Sequence, residues 1–222
     1  MPAKRFRPKN FQFPIGLDTI SSSTGNSATN TTGGNQTVIG THAIHSFLSP
    51  GTFTPSKDMD VEYLIVGGGG GGGRLDGGGG GAGGFRTGTG LSLTGNTAYT
   101  VTIGNGGAGS TSRSAKGTSG GDSSIAGTGV PQSPPAAAAT TLESAGGGGG
   151  GSHNLSEPGA NGGSGGGGSH GNPVVGSAGT GNTPPSTPAQ GNDGGTGYKG
   201  GSGINAGGGG GGAGEAGNTD GK

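Results

Sequence analysis

A mainly β and non-regular fold is what this sequence predicts: a small antiparallel β module followed by a packed polyglycine II helix bundle with loop insertions, and no α-helix of note. Three observations predict it. Glycine supplies 65 of the 222 residues; short apolar runs, above all Val61-Glu62-Tyr63-Leu64-Ile65-Val66, lead straight into unbroken glycines; and no stretch carries the roughly 3.6-residue apolar period of a helix. Hydrophobic residues make up 24% of the chain, and Leu, Ile, Val and Phe together fall well below the ~20% at which a side-chain core becomes hard to build. An ordinary globular domain is therefore not expected. Charged disorder is not expected either, because that class needs high net charge and here 11 Lys and Arg balance 11 Asp and Glu. With 0 Cys, neither a disulfide framework nor a thiolate metal site can staple the chain. Two readings remain, a flexible glycine linker or a fold that buries backbone instead of side chains.

Residues 1–40 read as an extended N-terminal arm. Basic Lys4, Arg5, Arg7 and Lys9 are interleaved with Phe6, Phe11 and Phe13, a Ser/Thr/Asn-rich tract runs from Thr19 to Thr37, and no periodic apolar face is present. Such a segment orders against a partner, which makes Lys4, Arg5, Phe6, Arg7, Phe11 and Phe13 the candidate anchoring residues. Cations with aromatics also suit phosphate contact and base stacking, but the cluster is short and the remaining chain neutral, so nucleic acid is not the expected partner. No apolar segment of signal-peptide type follows the basic residues, and no run approaches the length of a membrane-spanning helix. Synthesis and assembly in a cytoplasm, with no insertion into a membrane, are expected.

Residues 41–104 read as the β module, with the first glycine tracts inserted in it. His42 to Leu48 leads into the turn signal Ser49-Pro50-Gly51, then Thr52-Phe53-Thr54, then the strand Val61 to Val66, whose two faces are both apolar and should both be covered. Leu91 and Leu93, Gly95-Asn96, then Tyr99, Val101 and Ile103 alternate as a two-residue hairpin with one buried face should. Ser123-Ser124-Ile125 is a last short run.

Residues 105–222 read as the glycine bundle. The tracts Gly67 to Gly73, Gly77 to Gly81, Gly146 to Gly151, Gly165 to Gly168 and Gly207 to Gly212 are separated by polar or Pro-rich insertions at Arg74-Leu75-Asp76, Ser112 to Lys116, Pro131 to Ser144, His153 to Pro158, His170 to Val175 and Thr183 to Gln190. Collagen needs glycine at every third position with prolines between, and this pattern lacks it. An extended threefold glycine helix needs no such spacing. It has no internal hydrogen bonds, so each N–H and C=O must find a neighbouring run. Only glycine lets backbones approach that closely, and insertions become loops at the ends. Replacing Gly70 with Val should then cost far more than the same change within Thr183 to Gln190.

Chemistry is thin. Val66-Gly67 onwards mimics a dinucleotide fingerprint, but any glycine run does, no helix pattern follows Gly73, and Phe85-Arg86-Thr87-Gly88 stands where an acidic residue is required. Lys116 and Lys199 are followed by glycine, which removes the P-loop. His42 and His45 fall on opposite faces of a strand, and His153 and His170 sit in separate insertions as exposed loop histidines. No nucleophile elbow or paired-carboxylate arrangement appears, so neither an enzyme, a metal site nor a cofactor is expected.

The succession Val61 to Gly73, then Gly80-Gly81-Ala82-Gly83-Gly84-Phe85-Arg86-Thr87-Gly88, then Tyr99-Thr100-Val101-Thr102-Ile103-Gly104-Asn105-Gly106-Gly107, with Gly120-Gly121-Asp122-Ser123-Ser124-Ile125 later, resembles the glycine-rich domains of bacteriophage tail-fibre and adhesin proteins, especially those of marine phages. The resemblance runs from about Thr41 onwards and leaves the arm uncovered. A more distant likeness to the extracellular glycine-rich region of some receptor tyrosine kinases is weakened by the missing cysteines. The phage resemblance implies a structural virion protein, commonly trimeric, held to other virion proteins by its arm, with loops that meet a host-surface receptor. The implied contact residues are Arg74, Leu75, Asp76, His153, Asn154, His170, Val174 and Val175. A decoration or stalk protein without receptor binding is the alternative.

Overall fold

Ten short strands and the glycine runs between them alternate along the computed structural model, which describes residues 30–131, 140–153, 157–171, 174–200 and 205–219. The strands are β1 (Asn35–Ile39), β2 (His42–Ser46), β3 (Gly51–Phe53), β4 (Met59–Val66), β5 (Phe85–Leu93), β6 (Tyr99–Thr102), β7 (Ser123–Ala126), β8 (Thr141–Ser144), β9 (Tyr198–Lys199) and β10 (Asn205–Ala206). All pairings between these strands are antiparallel: β3-β6-β7-β8 form one sheet, while β1-β2, β4-β5 and β9-β10 are separate pairs. The fold is thus mainly strand and non-regular, in small antiparallel sheets.

Among the described residues one side-chain core is formed, and it is small. Val61, Leu91 and Leu93 from the β4-β5 pair meet Phe53, Tyr99, Ile125, Leu142 and Val130 from the four-stranded sheet and its β7-β8 connection. Tyr99 is fully buried with both hydrogen-bonding roles of its hydroxyl used: Oη accepts from Thr94 N–H at 2.7 Å and donates to the Thr128 carbonyl at 3.3 Å. Asymmetry marks β4. Its register shifts between Val61 and Tyr63, opposite the stretch of β5 containing Gly90 at φ 72°, as at a bulge where glycine accepts the left-handed conformation.

The expected hairpin through Gly95-Asn96 is corrected. The turn forms, with Asn96 at φ 56°, but Gly95 N–H donates to Asp58 Oδ1 at 2.8 Å and Asn96 N–H to the Pro55 carbonyl at 2.7 Å. The turn is thereby tied to residues 55–58 rather than closing a ladder, so β5 leaves to pair with β4 and β6 leaves to pair with β3 and β7. Nor is β4 covered on both faces, since Val66 is 48% exposed and Leu64 half-buried. The boundaries at 40 and 104 do not separate arm, module and bundle. β1 precedes residue 41 and pairs with β2, and β7 and β8, after 104, belong to the module's main sheet. Residues 4–13, including the candidate anchors, lie outside the described residues.

Glu143 on β8 shows how sparse side-chain chemistry tunes this sheet. Its carboxyl is held above the ordinary value of 4.5 by burial first and by the charge of Asp122 second, with Arg86 acting the other way. A raised carboxylate value means that the folded state disfavours the ionised form. That penalty is present above the raised value and disappears as pH falls through it towards 4.5. Glu143→Gln should therefore raise the melting temperature at pH 7, with the gain shrinking on acidification. A gain that grows towards low pH would contradict the assignment.

The glycine runs form a bundle held by backbone. N–H groups of Gly67, Gly70 and Gly73 donate to the carbonyls of Gly84, Gly81 and Gly78, those of Gly68 and Gly71 donate to Gly121 and Thr118, and the carbonyls of Gly69 and Gly72 accept from Gly107 and Ser110. Every third residue thus addresses the same neighbour, which is the periodicity of a threefold helix. Run 164–170 sits at the centre, bonded to runs through Gly79, Gly148 and Gly151, Glu157 and Ala160, Gly176 and Gly179, Asn192 and Gly195, and Gly208 and Gly211, six neighbours in all. Its residues are all buried. Two serines at the ends of the central run keep their hydroxyls bonded: Ser164 Oγ donates to the Gly83 carbonyl and Ser169 Oγ to the Glu157 carbonyl, both at 2.9 Å.

Loop 182–190 is not a free tip. It lies at the module end of the bundle, where the Asn182 carboxamide oxygen accepts from Ser186 N–H at 3.0 Å and Gln190 N–H at 3.2 Å. Gln190 itself is 2% exposed. Substitution in this loop is therefore not without cost, because its polar groups cap the bundle.

Candidate functional site

The runs 67–73, 103–109, 145–151, 164–170 and 191–197 all leave the module end in the same direction, so the loops after them gather at the opposite end of the bundle. Contacts make this explicit. Arg74 N–H donates to Ser152 Oγ at 2.9 Å, and the Arg74 guanidinium donates to the Thr111 carbonyl. His170 N–H donates to the Asp76 carbonyl at 2.9 Å, and Gly197 N–H, next to Tyr198, donates to Gly176 at 3.0 Å. The first insertion therefore touches the second, fourth and fifth, while run 176–181 joins the last hairpin to them.

Of the residues expected to make contacts, Arg74, Leu75, Asp76, His153, His170, Val174 and Val175 all lie at this distal end, and Asn154 lies outside the described residues. Leu75 is the most informative of them. It holds φ 58°, a left-handed conformation that a leucine adopts only under constraint, and it is 55% exposed. Val174 is 62% exposed and Tyr198 40% exposed, which adds two further apolar groups to the distal surface. Arg74 and Asp76 flank Leu75 in the chain, and His153 Nδ1 approaches Asp76. Sequence reading missed Tyr198, because a Tyr-Lys pair inside glycine carries no periodicity from which a strand can be inferred.

The histidines depart from expectation. His153 and His170 are not separate exposed loop residues: their ring centroids are 5.6 Å apart, and His170 is 4% exposed. His153 Nδ1 stands 3.4 Å from Asp76 Oδ2, within ion-pair range but not aligned as a hydrogen bond, and the pair carries charge attraction only when the imidazole is protonated. Nδ1 of both rings is buried without a hydrogen-bond partner. Among the described residues no group of three or more His, Cys, Asp or Glu side chains is arranged to hold a metal ion. No helix of the described residues is long and apolar enough to cross a membrane.

A small strand module feeding a threefold glycine bundle, with loops collected at the far end, defines a glycine-rich domain protein. The comparison by family agrees: the sequence profile of the glycine-rich domain family matches residues 48–222, and the chain belongs to that family. No curated protein and no solved structure matches it.

Proposed function

We propose that this chain is a structural virion protein of a bacteriophage, of the tail-fibre or adhesin type, which meets the host surface with the distal loops of its glycine bundle. The observation that carries this reading is the gathering at the distal end of the four insertions that begin at Arg74, Ser112, His153 and His170, where Leu75, Val174 and Tyr198 are exposed. Large apolar side chains left exposed on several loops of the same end favour a contact surface over a merely solvated one. A bundle packed backbone to backbone is a stiff support, which suits loops that must stay presented outside a cell. The basic N-terminal segment attaches the chain to other virion proteins, and three copies on one fibre multiply weak individual contacts.

The test uses phage particles carrying Leu75→Gly together with Val174→Ser and Tyr198→Ser. Glycine accepts the left-handed conformation at 75 without strain, so the fold and particle yield should persist. Adsorption to host cells should fall by at least ~10-fold, because each lost contact is multiplied over the copies. Unchanged adsorption, with the protein located along the shaft or on the capsid, would replace this reading with that of a decoration or stalk protein.

A further inference from the structure

The module end carries an apolar groove that the proposed attachment surface does not use. It encloses about 420 Å³ and is walled by Ile44, His45, Phe47, Leu48, Ile65 and Val66, among others. Leu48 is 86% exposed and Val66 48%. Two unpaired strand edges border it among the described residues, because β2 pairs with β1 alone and β4 with β5 alone. An open edge with apolar side chains beside it is a template for an added strand.

His45 supplies a directional signal in the same groove. Its side chain is buried, and its Nδ1 lies 2.7 Å from the Gly33 carbonyl. A carbonyl only accepts, so Nδ1 carries the proton and Nε2 of the neutral ring is an acceptor. That Nε2 is buried and without a partner. A buried acceptor left open is costly, and a backbone N–H entering the groove would satisfy it.

We propose that the occupant is the chain's own segment Phe11-Gln12-Phe13-Pro14-Ile15-Gly16-Leu17, laid as an extended strand in this groove. Apolar residues at 11, 13, 15 and 17 alternate strictly with Gln12, Pro14 and Gly16, the pattern of a strand with one buried face. Although residues 1–40 as a whole lack a periodic apolar face, this seven-residue piece alternates with the period of a strand. Pro14 lacks an N–H, so the edge shared by 12, 14 and 16, on which only Gln12 and Gly16 can donate, faces away from the ladder, as in an edge strand. The N–H groups of 11, 13, 15 and 17 face the module. The described chain begins beside the groove: Thr32 and Thr54 exchange both backbone hydrogen bonds at 2.9 Å, and Gly33 bonds His45. From Leu17 to Asn30 the chain can span roughly 40 Å when extended, ample to return to a groove at its own root. Lys4, Arg5, Arg7 and Lys9 stay outside the groove, free for the particle contacts proposed above. The inference does not depend on those contacts.

Hydrogen exchange on the full chain at several concentrations tests it. Amides within 11–17 should exchange at least ~30-fold more slowly than free peptide, independently of concentration. Phe13→Asp with Ile15→Asp should abolish that protection and speed exchange at 44–46 and 63–66. Leu48→Asp, a change at an exposed side chain, should weaken it without loosening the bundle. Exchange of 11–17 at free-peptide rates in the native chain would overturn the proposal. So would protection that rises with concentration, which would mark a second copy as the donor, or protection that survives the double substitution.

Discussion

Gly70→Ala is expected to destabilise the protein by about 3 kcal/mol or more, whereas Gly72→Ala, two residues along the same run, should leave it as stable or slightly more so. A Cβ at Gly70 would lie 2.2 Å from the Gly148 carbonyl oxygen and 2.6 Å from its carbon. Neither can yield, because Gly148 belongs to a run bonded to Ser164 on one side and to Gly81 on the other. A clash with fixed backbone is the overpacked case at its most severe. At Gly72 the nearest atom to an added Cβ is the Gly78 carbonyl oxygen at 3.8 Å, an ordinary contact. There alanine chiefly narrows the unfolded ensemble, worth about 0.4–1 kcal/mol in favour of folding. Gly69, three residues before Gly72, is similarly open, with 3.6 Å to the Ala82 carbonyl oxygen. Alanine substitutions through 67–73, followed by chemical denaturation, should show a three-residue rhythm of tolerance. Uniform tolerance would mean that the run is not packed on its neighbours, and uniform intolerance that it does not follow a threefold path.

Gln190→Leu should lower stability by about 1–3 kcal/mol, since it leaves the buried Ala145 N–H without a partner, with a smaller loss at the half-buried Pro184 carbonyl. The Gln190 carboxamide accepts from Ala145 N–H at 2.8 Å and donates to the Pro184 carbonyl at 2.7 Å. Ala145 is the residue at which β8 becomes a glycine run, so this side chain closes the bundle where it meets the strands. Leucine matches the volume and removes both bonds. Exchange at the Ala145 amide should accelerate along with the fall in denaturation midpoint. A loss under about 0.5 kcal/mol, within the range of ordinary surface changes, would mean that the two bonds contribute little.

Val61 to Val66 followed by glycine was readable because side-chain alternation and its abrupt end are both local properties. The same holds for Tyr99 to Thr102 and for the insertion at Arg74-Leu75-Asp76, but the insertion Pro131 to Ser144 was misread at its end, where Thr141–Ser144 form β8 against β7. The hairpin at Gly95-Asn96 was misread for a physical reason: a Gly-Asn pair specifies a turn, while the partners of the flanking strands depend on Asp58 and Pro55, which grip the turn from 37 and 41 residues away in sequence. Distal residues Arg74 to Asp76, His153 and His170 were readable as insertions. Their meeting was not, because it follows from the direction in which each run leaves the strands. Gln190 was hidden for a similar reason, since a polar residue in a Pro-rich loop looks solvated until Ala145 and Pro184 are placed beside it.

The sequence by itself determined that this protein buries backbone: too few apolar side chains for an ordinary core, no cysteine, and glycine in runs long enough to reach from one end of a bundle to the other. It could not determine which run lies beside which. Glycine has no side chain with which to select a neighbour, and every run offers the same donors and acceptors at the same three-residue spacing. That choice fell to the tertiary structure, where strand pairing sets the origin and direction of the first runs and the loops decide where later ones return. Run 164–170, launched from no strand, ends at the centre because its neighbours on every side present backbone groups that only another close-packed backbone can satisfy.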